Sequence, residues 1–192
     1  MAGSKQRIVD LRIELLDLTG TPIGELPSAT TDGSITLAVD QPIHGTGSLT
    51  CVNPDVDWLK TRVRPVFIID GVEQAAGVYV PAVPRGAYAA TAVMGVQLMD
   101  KLSLLAQDRL DTWLTIPAGR IGTDVIREVI EGAGQDAGAI TPSTATLRTA
   151  LVFAPGTTKL QIVDLVRESI GYSVLWCDWE GQYRTEPFVM PA

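Results

Sequence analysis

A serine or cysteine nucleophile needs a histidine within hydrogen-bond reach and a third group to orient it. The chain has one histidine, His44, in Gln41-Pro-Ile-His-Gly-Thr-Gly-Ser48. A lone histidine in a glycine-rich turn reads as a surface or packing residue, so no triad is expected. Zinc chemistry asks for three or four clustered ligands. Neither Cys51 nor Cys177, the only cysteines, lies in a CxxC or other ligand-like spacing. Both read as reduced, packed thiols, and the spacing leaves open whether they are bridged.

Two glycine-rich segments invite a phosphate-loop reading, since amides at a helix start can cradle anions. Gly45-Thr-Gly47 lacks a following helix and a third glycine. Gly119-Arg-Ile-Gly122-Thr lacks the Gly-Lys-Ser/Thr ending that puts a lysine on a phosphate. Paired carboxylates are the remaining route to hydrolysis. Asp55 with Asp57, Glu128 with Glu131, and Asp178 with Glu180 are the candidates, and all sit where turns and helix faces carry solvated charge. Trp113, Trp176 and Trp179 could form a sugar platform. Along a strand, however, Trp176 and Trp179 point to opposite faces, so core or interface packing is the expected use. The expectation is therefore a protein that is not an enzyme, with no catalytic, cofactor or metal residues assigned.

The elements that carry these residues fall into two styles. From Arg7 to Leu16, Val9, Leu11, Ile13 and Leu15 alternate with Asp10, Arg12 and Glu14, which is a strand buried on one side. Asp17 to Pro22 is a turn with Ile23 to Leu26 as the short return, and Ile35, Leu37 and Val39 mark another strand, followed by Ser48 to Val52. Asn53 to Leu59 reads as one helical turn, with Asn53 as cap and Pro54 at its first position, that tucks Trp58 and Leu59 over a barrel end. Arg64 to Ile69, the Asp70-Gly71 turn, Gly77 to Val80, a Pro81 to Gly86 connection and a long strand from Ala87 to Met99 complete the series. Short strands with such punctuation predict a small antiparallel barrel or sandwich, and the barrel is preferred because it leaves no exposed edges. A short helical segment, Asp100 to Gln107, leaves it.

After Asp111 the period changes. Trp113 to Ile116 is a strand and Pro117 to Gly122 a loop. Thr123 opens a helix with Val125, Ile126, Val129 and Ile130 on one face, ended by Gly132. Ala133 to Thr149 is an exposed excursion, Leu151 to Phe153 a strand and Pro155-Gly156 a turn. A second helix carries Leu160, Val163, Val166 and Ile170. Thr158 and Gln161 have the spacing of a capping box, and Gly171 falls where a helix C′ glycine belongs. Tyr172 to Cys177, the turn Asp178 to Gly181, and Gln182 to Thr185 predict a closing hairpin. No internal repeat emerges. The expected fold is α+β: residues 1–107 form a small antiparallel β-barrel, and residues 108–192 form a small α/β domain of two helices, short strands and the hairpin.

Length and charge narrow the function. A chain of 192 residues needs no disulfide or metal staple to hold a core. The formal net charge of −7, with eleven Arg and four Lys scattered, opposes nonspecific binding to nucleic acid or an anionic membrane. The most apolar stretch, Ala87 to Met99, is too short and too interrupted to span a bilayer. The opening Met-Ala-Gly-Ser-Lys-Gln-Arg leads into alternation, so no secretory leader is expected. Hydrophobic residues make up 46% and charged residues 19%, against about 25% charged in a typical domain. Either partner subunits cover part of that apolar surface, or an Ala-, Gly- and Val-rich composition accounts for it.

Gly77-Val-Tyr-Val-Pro81, Met99-Asp-Lys-Leu102, Thr115-Ile-Pro-Ala-Gly119, Pro155-Gly-Thr-Thr-Lys-Leu160 and Ile170-Gly-Tyr through Asp178-Trp-Glu-Gly-Gln-Tyr183 form an ordered set that resembles the tail hub proteins of tailed bacteriophages. These are relatives of the T-even baseplate hub, often labelled minor tail proteins in siphophages. The resemblance runs from about Arg62 to Pro187. It implies a virion structural protein at the tail tip, assembled in the host cytoplasm as a homotrimeric ring. It also implies the distal tail protein, other tail-tip proteins and the tape measure protein as partners. Family hubs carry a second barrel and a second α/β domain, whereas this chain stops at Met190-Pro-Ala192, so a split hub or a different assembly is expected. As the alternative, Thr115 to Gly119 followed by a helix is similar to LysM-type modules, which implies a peptidoglycan-binding or cell-wall-degrading tail-tip module. A hydrolase acting through one carboxylate pair is the third reading.

Overall fold

The computed structural model describes residues 9–26, 32–38, 40–52, 55–82 and 93–189. The chain divides into two compact units, Met1–Asp100 and Lys101–Ala192. The proposed caps Asn53 and Pro54, and the first residues of the strand expected from Ala87, lie outside the described residues.

The first unit is one antiparallel sheet. Its strands are β1 (Val9–Leu16), β2 (Pro22–Glu25), β3 (Asp32–Leu37), β4 (Gly45–Val52), β5 (Arg62–Ile69), β6 (Val72–Ala75), β7 (Tyr79–Pro81) and β8 (Val93–Asp100). They run in the order β2-β1-β5-β7-β8-β4-β3, with β6 also paired to β5. The alternation read in β1 sets its register: Ile13 lies opposite Pro65 and Leu15 opposite Val63, while Arg12 and Glu14 fall on the other face. On the far side, Leu49 pairs with Val96 and Cys51 with Met94. The inward side chains of both halves, with Trp58 and Tyr79, make one core. Gly47 is required where β3 crosses β4, because a Cβ there would press into the Ser34 carbonyl.

The expected closed barrel is corrected to an open, curled sheet. Among the described residues β2 and β3, the two ends, form no ladder with each other. β2 has four exposed residues, begins with Pro22 and contains Gly24, so it is a poor closing strand. The two halves of the sheet meet through β7, which pairs with β5 only at Val63 and Tyr79. Two smaller expectations also change. Trp58 is buried but Leu59 is 72% exposed, and β6 lies between the Asp70-Gly71 turn and the strand expected from Gly77, where no element is expected.

On the outer face a charge ladder crosses four strands. Arg12 reaches Glu14 at 2.7 Å, Glu73 at 2.8 Å and Glu25 at 3.4 Å, and Arg64 holds the other oxygen of Glu14 at 2.5 Å. Burial pushes the Glu14 carboxyl up, but the two guanidinium groups outweigh it and its pKa lies below the ordinary value. At the sheet's end, buried Asp100 accepts the Gly45 amide at 2.6 Å. Tyr79 donates to the Ala76 carbonyl. Burial, then the charge of Asp100, pushes the Tyr79 phenol up to about 12.

The second unit contains α1 (Leu102–Gln107), β9 (Leu114–Ile116), α2 (Gly122–Glu131), β10 (Leu151–Phe153), α3 (Lys159–Ser169), β11 (Trp176–Cys177) and β12 (Tyr183–Arg184). Leu102 and Leu105 of α1 belong to its core. The excursion expected at the surface is partly buried instead: Ala137, Ile140 and Leu147 enter that core, and Arg127 and Tyr172 donate to the Ile140 and Thr141 carbonyls. The capping box at Thr158 and Gln161 forms as read.

This unit is an internal repeat, which overturns the expectation of none. Residues 108–135 correspond to 145–172 at a constant offset of 37, as Leu114 is from Leu151, Gly119 from Gly156 and Gly122 from Lys159. The correspondence extends to hydrogen bonds. Leu110 N–H donates to Thr157 O as Leu147 N–H donates to Arg120 O, both at 2.9 Å. Gly156 N–H donates to Leu110 O as Gly119 N–H does to Leu147 O, and Lys159 N–H to Asp108 O as Gly122 N–H does to Ala145 O. The isolated bridges Arg109 with Thr158 and Ile121 with Thr146 are a matched pair. β9 and β10 cross at Thr115 opposite Val152, with Leu114 opposite Phe153 and Ile116 opposite Leu151. Each half therefore gives its leading strand to the other half's turn, about a pseudo-two-fold axis. Both helices end alike. Gly134 and Gly171 have φ of 69° and 72°, and Gln135 and Tyr172 donate to the carbonyls of Ile130 and Arg167, which closes a Schellman motif each time.

Candidate functional site

The residues singled out for chemistry are scattered by the fold. His44 is half-buried before β4, and Gly45-Thr-Gly47 is strand rather than loop. Asp57 pairs with Lys60 at 3.6 Å and Glu128 with Arg120, while Asp55, Glu131 and Glu180 are exposed. Among the described residues no three His, Cys, Asp or Glu side chains form a group able to hold a metal, and no helix is long and apolar enough to cross a membrane. Cys51 is buried in the first unit and Cys177 half-buried against the second core, both as thiols.

Asp178 is structural. It accepts the amides of Glu180 and Gln182 through one oxygen and Arg184 at 2.5 Å through the other. Burial raises its pKa, but the Gln182 amide and Arg184 prevail, leaving it below the ordinary value. Asp17 does the same for Thr19 and Thr21 in the first unit. Both hairpin tips thus use one Asp-x-x-Gly-x device and carry an exposed apolar residue after the aspartate, Leu18 and Trp179.

The concave surfaces are apolar. In the first unit a cleft of about 90 Å³ lies along the open side of the sheet, between Leu11, Ile13 and Phe67 on one wall and Ile35 and Leu49 on the other. In the second unit a groove of about 260 Å³ has Leu114, Ile116, Val125, Val129 and Ile162 among its lining, together with Arg120, Glu128 and Lys159. Lys159 spans the groove's end, bonded to Asp108 at 2.8 Å and to the Gly132 carbonyl. Outside it, Trp113 is 68% exposed on the same side of the β9–β10 ribbon as Val152. A wide recess beside Pro142, Ser143 and Pro187 reaches Tyr172, whose ring is only 5% exposed and offers no stacking face.

Among the solved structures that share this fold are two tail proteins. The tail protein from Neisseria meningitidis MC58 superposes with a TM-score of 0.62 at 15% identity, over 91% of this chain and 50% of that one. The 43 kDa tail protein of prophage MuSo2 from Shewanella oneidensis superposes with a TM-score of 0.56 at 15% identity, over 91% of this chain and 52% of that one. The fold is shared with tail proteins. At this identity the likeness is one of fold alone, and the chain spans about half the length of the solved chains it matches. No family model matches the chain, and no curated protein sequence matches it.

Sequence reasoning missed both apolar recesses. The groove is assembled from residues between Leu110 and Ile162, and its signal was the repeat. Once residues 108–135 are laid on 145–172, Thr115, Ile116, Val125 and Glu128 of the groove are seen to be smaller or more polar than their counterparts Val152, Phe153, Ile162 and Leu165.

Proposed function

We infer that this chain is a structural component of a bacteriophage tail, and that its role is binding rather than turnover. The observation that carries this reading is the open antiparallel sheet, in a fold shared with two tail proteins. Among the described residues β3 is an end strand of the sheet, the Leu11 to Phe67 cleft lies beside it, and Leu37, Ile23, Val72 and Val93 are exposed. An end strand beside an apolar seam with exposed aliphatic residues is a surface that another strand or subunit can cover. The finer reading is a hub at the distal end of the tail tube, with copies packed as a ring, most simply a trimer, against the distal tail, tail-tip and tape measure proteins. With a net charge of −7, such a ring would repel DNA passing through it. That step fails if an assembled structure turns the acidic residues outward.

Size-exclusion chromatography with light scattering tests the reading. A stable oligomer that Leu37→Lys disperses is the expected result, and a strict monomer at high concentration refutes the ring. The alternative, a peptidoglycan-binding module, predicts retention on purified cell wall.

A further inference from the structure

The differences between the two copies of the repeat include one recess where the first copy is open. Phe153, Ile162, Leu165 and Ile170 of the second copy stand where the first has Ile116, Val125, Glu128 and Ala133. In the second copy Ile170 lies on the backbone of Gly122, so close that a Cβ on that glycine would be 2.6 Å from its Cγ2. In the first copy the matching pair is Ala133 and Lys159, and the groove of about 260 Å³ is lined by Lys159 and by Gly132, the residue before Ala133. The filled half shows what the open half is shaped to take, an apolar side chain, supplied in the second copy by Ile170 at the end of α3.

The same unit exposes such a side chain. Residues 186–189 run beside Gly171 to Ser173, held by the Ser173 amide on the Glu186 carbonyl at 2.8 Å and the Phe188 amide on the Gly171 carbonyl at 2.9 Å. Their backbone is pinned while Phe188 is 63% and Val189 80% exposed. Pro187 restricts the strap further. Glu186 is exposed two residues before Phe188, and the groove carries Arg120, paired with Glu128, and Lys159, paired with Asp108, so that Glu186 would join these pairs. The strap is anchored at the end of α3, whereas the groove opens beside Gly132, at the end of α2.

We propose that the groove of one copy receives the Glu186 to Val189 strap of a second copy, with Phe188 on the apolar floor and the Glu186 carboxylate at Arg120 and Lys159. Such a contact is head-to-tail, and head-to-tail contacts close into rings when the rotation permits. The inference rests on the ring reading above, and it names the surface through which neighbouring second units meet.

The test uses full-length protein and a fluorescein-labelled peptide of residues 184–189, Arg-Thr-Glu-Pro-Phe-Val. The receptor is the Phe188→Asp chain, whose own strap cannot compete. A saturable rise in anisotropy is expected. Arg120→Glu in the receptor weakens it about tenfold, a peptide carrying Glu186→Lys recovers binding to that receptor, and Val129→Trp, which fills the groove, abolishes it. In light scattering, Phe188→Asp shifts the full chain toward smaller species. Peptide binding to the receptor, when the unsubstituted chain is itself monomeric, supports the groove and sinks the ring. An oligomer that survives Phe188→Asp, with no peptide binding, overturns the groove and leaves the ring standing.

Discussion

If the second unit is a true repeat, equivalent glycines must carry equivalent costs, and Gly119 and Gly156 offer the cleanest comparison. Each follows a short strand by three residues and turns the chain toward a helix, with φ of 83° and 87°. A Cβ added at either meets no atom within 4 Å, so alanine clashes with nothing and only the backbone penalty remains. That penalty is about 1–2 kcal/mol for a left-handed L-residue, offset in part by about 0.4–1 kcal/mol from the stiffer unfolded chain. Gly119→Ala and Gly156→Ala should each destabilise the unit by about 1 kcal/mol. Urea unfolding followed by tryptophan fluorescence reads it, because Trp113, Trp176 and Trp179 all lie in this unit. With a slope of about 1–3 kcal/mol per molar urea, each midpoint falls by about 0.3–1 M. One variant near zero with the other above about 2 kcal/mol would refute the equivalence.

Two further outcomes concern titration. Tyr79 has its pKa pushed up to about 12 in the fold from an unfolded value of 10.0, so the folded state keeps its proton longer than the unfolded chain. Stability of the first unit is full below pH 10 and falls as pH rises toward about 12; urea midpoints at pH 8 and pH 11 should show this, and Tyr79→Phe should flatten it. Asp178 is held below its ordinary value of 3.8, so its contribution is present above that pH and lost as pH falls through its folded value. Asp178→Asn should remove that part of the acid sensitivity in a denaturation series from pH 6 to pH 2.

The parts of the fold that rest on local periodicity were legible. β1 shows its inward face in the alternation of Ile13 and Leu15, both buried, with Leu11 on the same face but exposed at the cleft, and α3 announces its start with Thr158 and Gln161 and its end with Gly171, because caps and alternation are determined within a few residues. Closure of the first sheet was not legible. Whether β2 and β3 meet depends on curvature summed over eight strands, and the exposure of all four β2 residues decides against it. The repeat was hidden for a different reason. Seven identities over 28 positions, among them Leu110 with Leu147 and Val129 with Val166, are too sparse to stand out. The relation is carried by backbone hydrogen bonds that any side chain permits. Burial of Ile140 and Leu147 was equally invisible, since single apolar residues in a Gly- and Thr-rich stretch have no period. The groove inherits this opacity, because it is a difference between two copies and cannot be seen until both are recognised.

The asymmetry of the repeat has a physical logic. The two halves hold each other through main-chain bonds at matched positions, Leu110 to Thr157 and Leu147 to Arg120, so side chains beside those bonds can change without breaking the exchange. The second copy spends its positions on cohesion: Thr158 and Gln161 close the capping box and Ile170 packs on Gly122. The first copy has no side-chain cap at Ile121 and has Ala133 in place of an isoleucine. That shortening forgoes about three buried carbons, on the order of 2 kcal/mol. A unit whose other half is filled tolerates such a loss, and the apolar space it leaves becomes available to a neighbour. Filling it from within, with Ala133→Ile and Glu128→Leu to copy the second half, should therefore stabilise the isolated chain while weakening whatever the groove binds. A variant that gained stability and kept full association would separate the two roles and break this account.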